Sequence, residues 1–107
     1  VVYDCSAFSS ILIPNNVTNI GASAFYYCYA LSSVTVPSGV TNIGASAFCY
    51  CYGMKEYHIK PTTPPTIGTL VFASISSDCI IYVPSSKLTD YQGASNWSTY
   101  SSYMQGE

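Results

Sequence analysis

At 107 residues the chain supports a single modest core. Only 7% of it is charged, against about a quarter in an average domain, and Ser, Thr, Asn and Tyr take up the surface instead. With a net charge of -2 and Lys55, Lys60 and Lys87 scattered, no basic stripe exists to neutralise phosphates, which argues against nucleic acid as a partner; no apolar run reaches the roughly 18 residues of a membrane-spanning helix.

Val1 to Asp4 shows no basic region leading into an apolar stretch, and Met54 is the first methionine. The chain therefore reads as a fragment or mature piece of a longer protein. Its neutral, hydroxyl-rich composition suits an extracellular setting.

An internal repeat organises the sequence. Pro14-Asn15-Asn16-Val17-Thr18-Asn19-Ile20-Gly21-Ala22-Ser23-Ala24-Phe25 recurs at a shift of 23 residues from Pro37 to Phe48, and the same shift links Cys5, Cys28 and Cys51, Phe8, Leu31 and Met54, and Ile13, Val36 and Ile59. A repeat this short cannot bury its own apolar face, so successive units must stack.

The first unit opens with a strand over Ser10-Ile11-Leu12-Ile13, stopped by Pro14, which has no N–H to donate. Val17 and Ile20 then point inward from a second wall. Gly21 is expected to take a positive φ, and Ala24 makes room for Phe25 at the corner. The second unit repeats this, with the strand Ser33-Val34-Thr35-Val36 alternating in polarity, then Val40, Ile43, Gly44, Ala47 and Phe48. The third strand is Glu56-Tyr57-His58-Ile59. Stacking places Ile11/Val34/Tyr57 and Ile13/Val36/Ile59 in inward columns of a parallel sheet, with strands about 4.8 Å apart.

The fourth unit drifts by one residue: Ile67, Phe72 and Val83 sit 24 after Ile43, Phe48 and Ile59, with a stiff loop from Pro61 to Pro65. After Pro84 the period is expected to end. Ser85 to Gln92 reads as a short helix capped by Ser85 or Ser86 and closed by Gly93, followed by Trp97, Tyr100 and Met104 packing on the last coil. The organisation is thus residues 1–84 as repeats of about 23 residues, three regular and one irregular, and residues 85–107 as a C-terminal cap.

Among the five cysteines, Cys5, Cys28 and Cys51 form a column. Stacked equivalents keep parallel Cβ atoms about 5 Å apart, beyond the roughly 3.8 Å a disulfide prefers, so free buried thiols are expected there. Cys49 should face outward, and whether it pairs with Cys79 stays open. Cys49-Tyr50-Cys51 has no second pair at zinc-finger spacing, so no metal site is expected. His58, the sole histidine, shares an exposed strand face with Glu56, where both could touch one ligand, but no triad surrounds it and Asp78, Asp90 and Glu107 are scattered. No catalytic residue, metal or cofactor is expected. Tyr26, Tyr27, Tyr29, Tyr50 and Tyr52 cluster on a coil corner, either as a recognition surface or as rings covering the turns. Asn16-Val17-Thr18 and Asn96-Trp97-Ser98 match the N-glycosylation sequon.

The spacing Leu31-x-x-Val34-x-Val36-Pro37-x-x-Val40-x-x-Ile43-Gly44-x-x-Ala47-Phe48-x-x-Cys51 resembles the BspA-like leucine-rich repeats, strictly over residues 1–60 and loosely over 61–84. The resemblance implies a repeat solenoid: a right-handed leucine-rich-repeat coil with short parallel strands, little helix and a C-terminal cap. It also implies a secreted or cell-surface, adhesion-type module that binds an extracellular or host protein, or a glycan. Its usual binding face, the concave sheet, would carry Ser10, Leu12, Ser33, Thr35, Glu56, His58 and Tyr82. Lys60 departs from the family's proline, making the third coil atypical. The other reading is a passive spacer beside another functional domain.

One expectation concerns packing alone: Phe48→Ala should destabilise the fold by roughly 3–5 kcal/mol through a corner cavity, measured by denaturant unfolding.

Overall fold

A computed structural model describes residues 10–107, so the expectations for Cys5 and Phe8 lie outside the described residues. The elements run β1 (Ser10–Leu12), β2 (Asn19–Ile20), β3 (Ser33–Val36), β4 (Asn42–Ile43), β5 (Glu56–Ile59), β6 (Thr66–Ile67) and β7 (Ile80–Val83). A 3-10 turn at Ser85–Lys87, helix α1 (Leu88–Gly93), a 3-10 segment at Ser98–Tyr103 and β8 (Met104–Gly106) complete the chain.

The strands form two open parallel sheets, a five-stranded one in the order β1-β3-β5-β7-β8 and a three-stranded one in the order β2-β4-β6. Up to β7, neighbours in each sheet alternate in the sequence because each coil visits one wall, then the other, before climbing one level; between β7 and β8 the helical segments replace the second-wall strand. The register is the repeat: Ser33, Val34, Thr35 and Val36 face Glu56, Tyr57, His58 and Ile59. The one-residue drift appears as Tyr57 against Ile81 and Ile43 against Ile67.

A third wall is made of turns. Here coils are joined without a sheet: the N–H groups of Ser23, Phe25 and Tyr27 donate to the carbonyls of Ala45, Ala47 and Cys49, and those of Ser46, Phe48 and Tyr50 to Thr69, Val71 and Ala73, all at 2.8–3.1 Å. Each backbone donor aimed along the solenoid axis is thereby satisfied.

Inside the three walls lie Leu31, Val34, Val36, Val40, Ile43, Phe48, Met54, Tyr57 and Ile59, each at most 2% exposed. Phenylalanines from successive coils stack nearly coplanar: Phe25 on Phe48 at 5.1 Å and Phe48 on Phe72 at 5.9 Å between ring centres. The column extends obliquely to Trp97, 5.7 Å from Phe72 and fully buried, and Tyr100 meets Phe72 edge-on.

Four expectations are corrected. None of the glycines has a positive φ; the left-handed positions are Ser23, Tyr27, Ser46, Tyr50, Leu70, Ser74 and Asn96. Gly44 and Gly68 are required by proximity instead, since a Cβ on Gly44 would lie 2.7 Å from Ala22 Cα and one on Gly68 2.6 Å from Ala45 N. The period does not end at Pro84: β8 pairs parallel with β7, placing Met104, Gln105 and Gly106 beside Ile81, Tyr82 and Val83, again 23 residues on. Neither Ser85 nor Ser86 caps α1 through its side chain; Lys87 is the N-cap and Gly93 the last helical residue. Ser85 is engaged otherwise, its N–H directed at the Glu107 carbonyl. Finally, Cys49 is 5% exposed rather than outward-facing.

The proline loop contributes carbonyls with few N–H groups, and the C-terminal segment meets them with side-chain donors. Tyr91 Oη donates to Pro61 O at 2.6 Å, Trp97 Nε1 to Pro65 O at 2.8 Å and Asn96 Nδ2 to Ile67 O at 2.9 Å. Tyr91 and Trp97 are fully buried, so each bond satisfies groups water cannot reach.

The coil spacing at the glycine column sets a test. Gly44→Ala should destabilise the fold by about 1–3 kcal/mol, because the new methyl meets backbone that cannot swing aside. Gly21→Ala, with no described atom within 4 Å of the added methyl, should unfold within roughly 0.5 kcal/mol of wild type in urea.

Candidate functional site

Two surfaces emerge from this frame. The outward face of the larger sheet carries the columns Ser10/Ser33/Glu56/Ile80 and Leu12/Thr35/His58/Tyr82/Gln105. The residues expected there therefore do share one face, although the Leu12 side chain lies outside the described ones. Ser10 and Thr35 are exposed, and Ser33, Glu56, His58 and Tyr82 are half-buried.

His58 is not a free surface imidazole. Its Nε2 lies 2.8 Å from Glu56 Oε1, and its Nδ1 lies 3.1 Å from both carboxylate oxygens of Glu107. Lys60 Nζ donates to Glu107 Oε2 at 3.3 Å, and the ring stacks on Tyr82 at 5.1 Å with an 11° tilt. Partial burial opposes the imidazolium charge, but the hydrogen bonds to Glu56 and Glu107 outweigh it and raise the pKa above the usual 6.5. Burial likewise opposes ionisation of Glu107, and His58 and Lys60 overcome it, holding this carboxyl below its usual 4.5.

Glu107 looked isolated in the sequence. Two further coils at 24 and 23 residues would have led from Lys60 through Pro84 to Glu107, but Met104-Gln105-Gly106 lacks the alternating pattern that announces a strand. A second charge pair also joins coils: Lys55 Nζ to Asp78 Oδ2 at 2.7 Å, with Ser76 donating to the same carboxylate. Both partners are well exposed, so this pair contributes little.

The second surface is the turn wall. Tyr27 and Tyr50 stack at 4.9 Å, Tyr26 meets both edge-on, and Tyr52 lies 5.8 Å from Tyr50 and 6.4 Å from Tyr27. These four rings form one cluster; Tyr29, in the column of Tyr52, stands beside it, half exposed. Desolvation within the cluster, then neighbouring phenols, raise the Tyr26 and Tyr52 hydroxyls, which stay neutral. Cys49, close enough to Tyr26, Tyr52 and Tyr100 to act on them electrostatically, has its own pKa raised by burial.

The cysteine column holds a further correction. Cys28 is disulfide-bonded, so the column is not a uniform ladder of thiols. Cys49, Cys51 and Cys79 are free, and Cys49 and Cys79 do not pair. Burial pushes the Cys51 thiol up to about 11 and the Cys79 thiol up to about 12, so neither is a nucleophile at neutral pH. Among the described residues no group of three or more His, Cys, Asp or Glu is arranged to hold a metal ion. No helix among them is long and apolar enough to cross a membrane. Of the two sequons, Asn16 lies in an exposed turn, whereas Asn96 commits its amide to Ile67.

Open parallel sheets wound one strand per coil, with a turn wall of constant spacing, define a leucine-rich-repeat solenoid. The chain belongs to the BspA-type leucine-rich repeat family, whose six-copy repeat-region model matches residues 1–99. That match reaches past Pro84, as β8 does. No curated protein matches the chain significantly.

The His58–Glu107 contact fixes the sign of a pH dependence. A raised histidine pKa stabilises the fold fully below 6.5 and is lost as pH rises through the folded value; a lowered carboxyl pKa stabilises above 4.5 and is lost as pH falls through its folded value. The urea-midpoint difference between wild type and Glu107→Gln should therefore be largest between pH 4.5 and 6.5 and shrink as pH rises through the raised His58 value.

Proposed function

We propose that the chain is a secreted or cell-surface, adhesion-type binding module whose turn wall contacts an extracellular protein. The observation that carries this reading is where the large apolar side chains are exposed. Among the described residues these are Tyr27, Tyr29, Tyr52 and Leu70, all on the turn wall.

The fold does not demand aromatic rings there. Tyr27 and Tyr50 occupy a left-handed position, and the equivalent residue one coil on, Ser74, takes the same φ of 63° with a small side chain. A bulky residue in that conformation costs about 1 kcal/mol or more. Tyrosine contributes large, stiff contact area with a hydrogen-bonding tip, the combination enriched at the energetic centres of protein interfaces. Low charge favours such a surface, since few ions need desolvating.

The sheet face of Ser10, Leu12, Ser33, Thr35, Glu56, His58 and Tyr82 is a second contact surface in this reading. It ranks behind the turn wall because part of it is already occupied by Glu107.

Arrays of extracellular-matrix proteins and glycans, probed with wild type, Tyr52→Ala and Ser77→Ala, test the reading. A protein bound by wild type should lose about tenfold or more in affinity with Tyr52→Ala and none with Ser77→Ala. Hits confined to glycans would replace the partner class, and no binding at all would favour a passive spacer.

A further inference from the structure

We propose that His58 and Lys60 form a carboxylate-binding subsite on the sheet face, occupied in the resting chain by its own Glu107 and open to an acidic side chain of a protein partner. This goes beyond the turn-wall reading and rests on different residues.

The grip on the carboxylate is built by several elements. His58 Nδ1 stands 3.1 Å from each Glu107 oxygen, and Lys60 Nζ adds a contact at 3.3 Å. Glu56, 2.8 Å from the other ring nitrogen, favours the doubly protonated ring that can donate on both sides, and Tyr82 fixes its plane by stacking. Glu56 and Tyr82 are positioning residues. The adjacent strand contributes only the neutral Thr35 opposite His58, and Gln105 flanks Tyr82. Of the other two basic side chains, Lys55 is committed to Asp78 and Lys87 lies in the 3-10 turn after β7, so two cationic groups converge only here.

Glu107 is held in a way that lets its side chain leave. Its backbone is anchored separately: its N–H donates to Val83 O at 2.9 Å and its carbonyl accepts from Ser85 N–H at 3.3 Å. The carboxylate can swing into water by side-chain rotation while β8 stays paired. Its side chain is already 29% exposed, so the rotation starts from a position open to water. Tethering makes Glu107 a competitor at an effective concentration of order millimolar, which an isolated acid displaces poorly and a partner with other contacts displaces readily.

The probe is a fluorescent tetraglutamate peptide, acetylated and amidated, titrated by anisotropy at low salt within pH 4.5–6.5, where both charges are present. Glu107→Gln should bind it at least about fivefold more tightly than wild type, as removal of an internal competitor requires. The double variant His58→Ala/Glu107→Gln should lose that gain. Asp90→Asn makes the same change in net charge away from the site and should show none. A tetraglutamine peptide with a free C-terminal carboxylate separates a chain-end acid from side-chain acids, and binding only this peptide would overturn the assignment to side chains. Equal binding by wild type and Glu107→Gln, or a gain that survives loss of His58, would overturn the subsite. To guard against loosening of β8, the His58 ring resonances of wild type are followed during titration with the acidic peptide. They should shift saturably, and no shift at millimolar peptide would also overturn it.

Discussion

Coil-on-coil register is the constraint from which the other features follow. Each coil touches its neighbours through hydrogen bonds running along the solenoid axis on every wall, so a residue's environment is set by its equivalents one period away. The two sheets supply ladders at Val34/Tyr57 and Ile43/Ile67, and the turn wall supplies the Ser46, Phe48 and Tyr50 donors. Even side chains enter the ladder: Asn42 Nδ2 reaches Asn19 Oδ1 at 2.6 Å across equivalent positions. Because all three walls must advance by the same rise, an added residue on one wall must be absorbed as a bulge between walls. The fourth coil does this through the Pro61–Pro65 loop, whose carbonyls are taken up by Tyr91 and Trp97 rather than by another coil.

The same constraint separates residues required by the fold from those merely allowed by it. Gly44 and Gly68 are required, because two backbones approach too closely for a methyl between them. Phe25, Phe48 and Phe72 are required as a buried stack, where a smaller side chain would leave a cavity. The left-handed positions on the turn wall are different. Ser23 and Ser46 are followed there by Leu70, and Tyr27 and Tyr50 by Ser74, so the backbone conformation is constant while the side chain varies. Residues that vary over a fixed, strained backbone are where a scaffold can carry chemistry of its own.

The repeat made the core legible because each inward position is written several times. Ile11, Val34 and Tyr57 share a column although their side chains differ, and the drift to Ile81 was visible as a change from 23 to 24. What escaped were features written once. Strand β8 is Met104-Gln105-Gly106, without β-branched residues; its pairing depends on β7 offering an open edge, not on local propensity. The disulfide of Cys28 is likewise not written in the repeat. Glycine's general preference points to a positive φ at Gly21 and Gly44, whereas Gly44 answers to crowding and serines and tyrosines take the left-handed turn positions. Of the candidate sites, the sheet face followed from alternation, but its closure by Glu107 depends on a contact between residues 49 apart in the sequence.

That closure bears on how the edge at β8 is held. An exposed parallel edge invites further pairing, and a strand with a single apolar side chain lowers that hazard at the cost of weak packing. Of the β8 residues only Met104 is buried, at 7% exposed, while Gln105 and Gly106 face solvent. The end of the strand is therefore tied by polar means: the Glu107 N–H to Val83, its carbonyl to Ser85, and its carboxylate to His58 and Lys60 two coils' worth of sheet inward. The backbone bonds do not titrate, whereas the charged tie to His58 exists only while the imidazole is protonated and the carboxyl ionised. Strand β8 thus has a fixed attachment and a conditional one, and the conditional one lies on the outward face of the sheet, where another molecule can reach it.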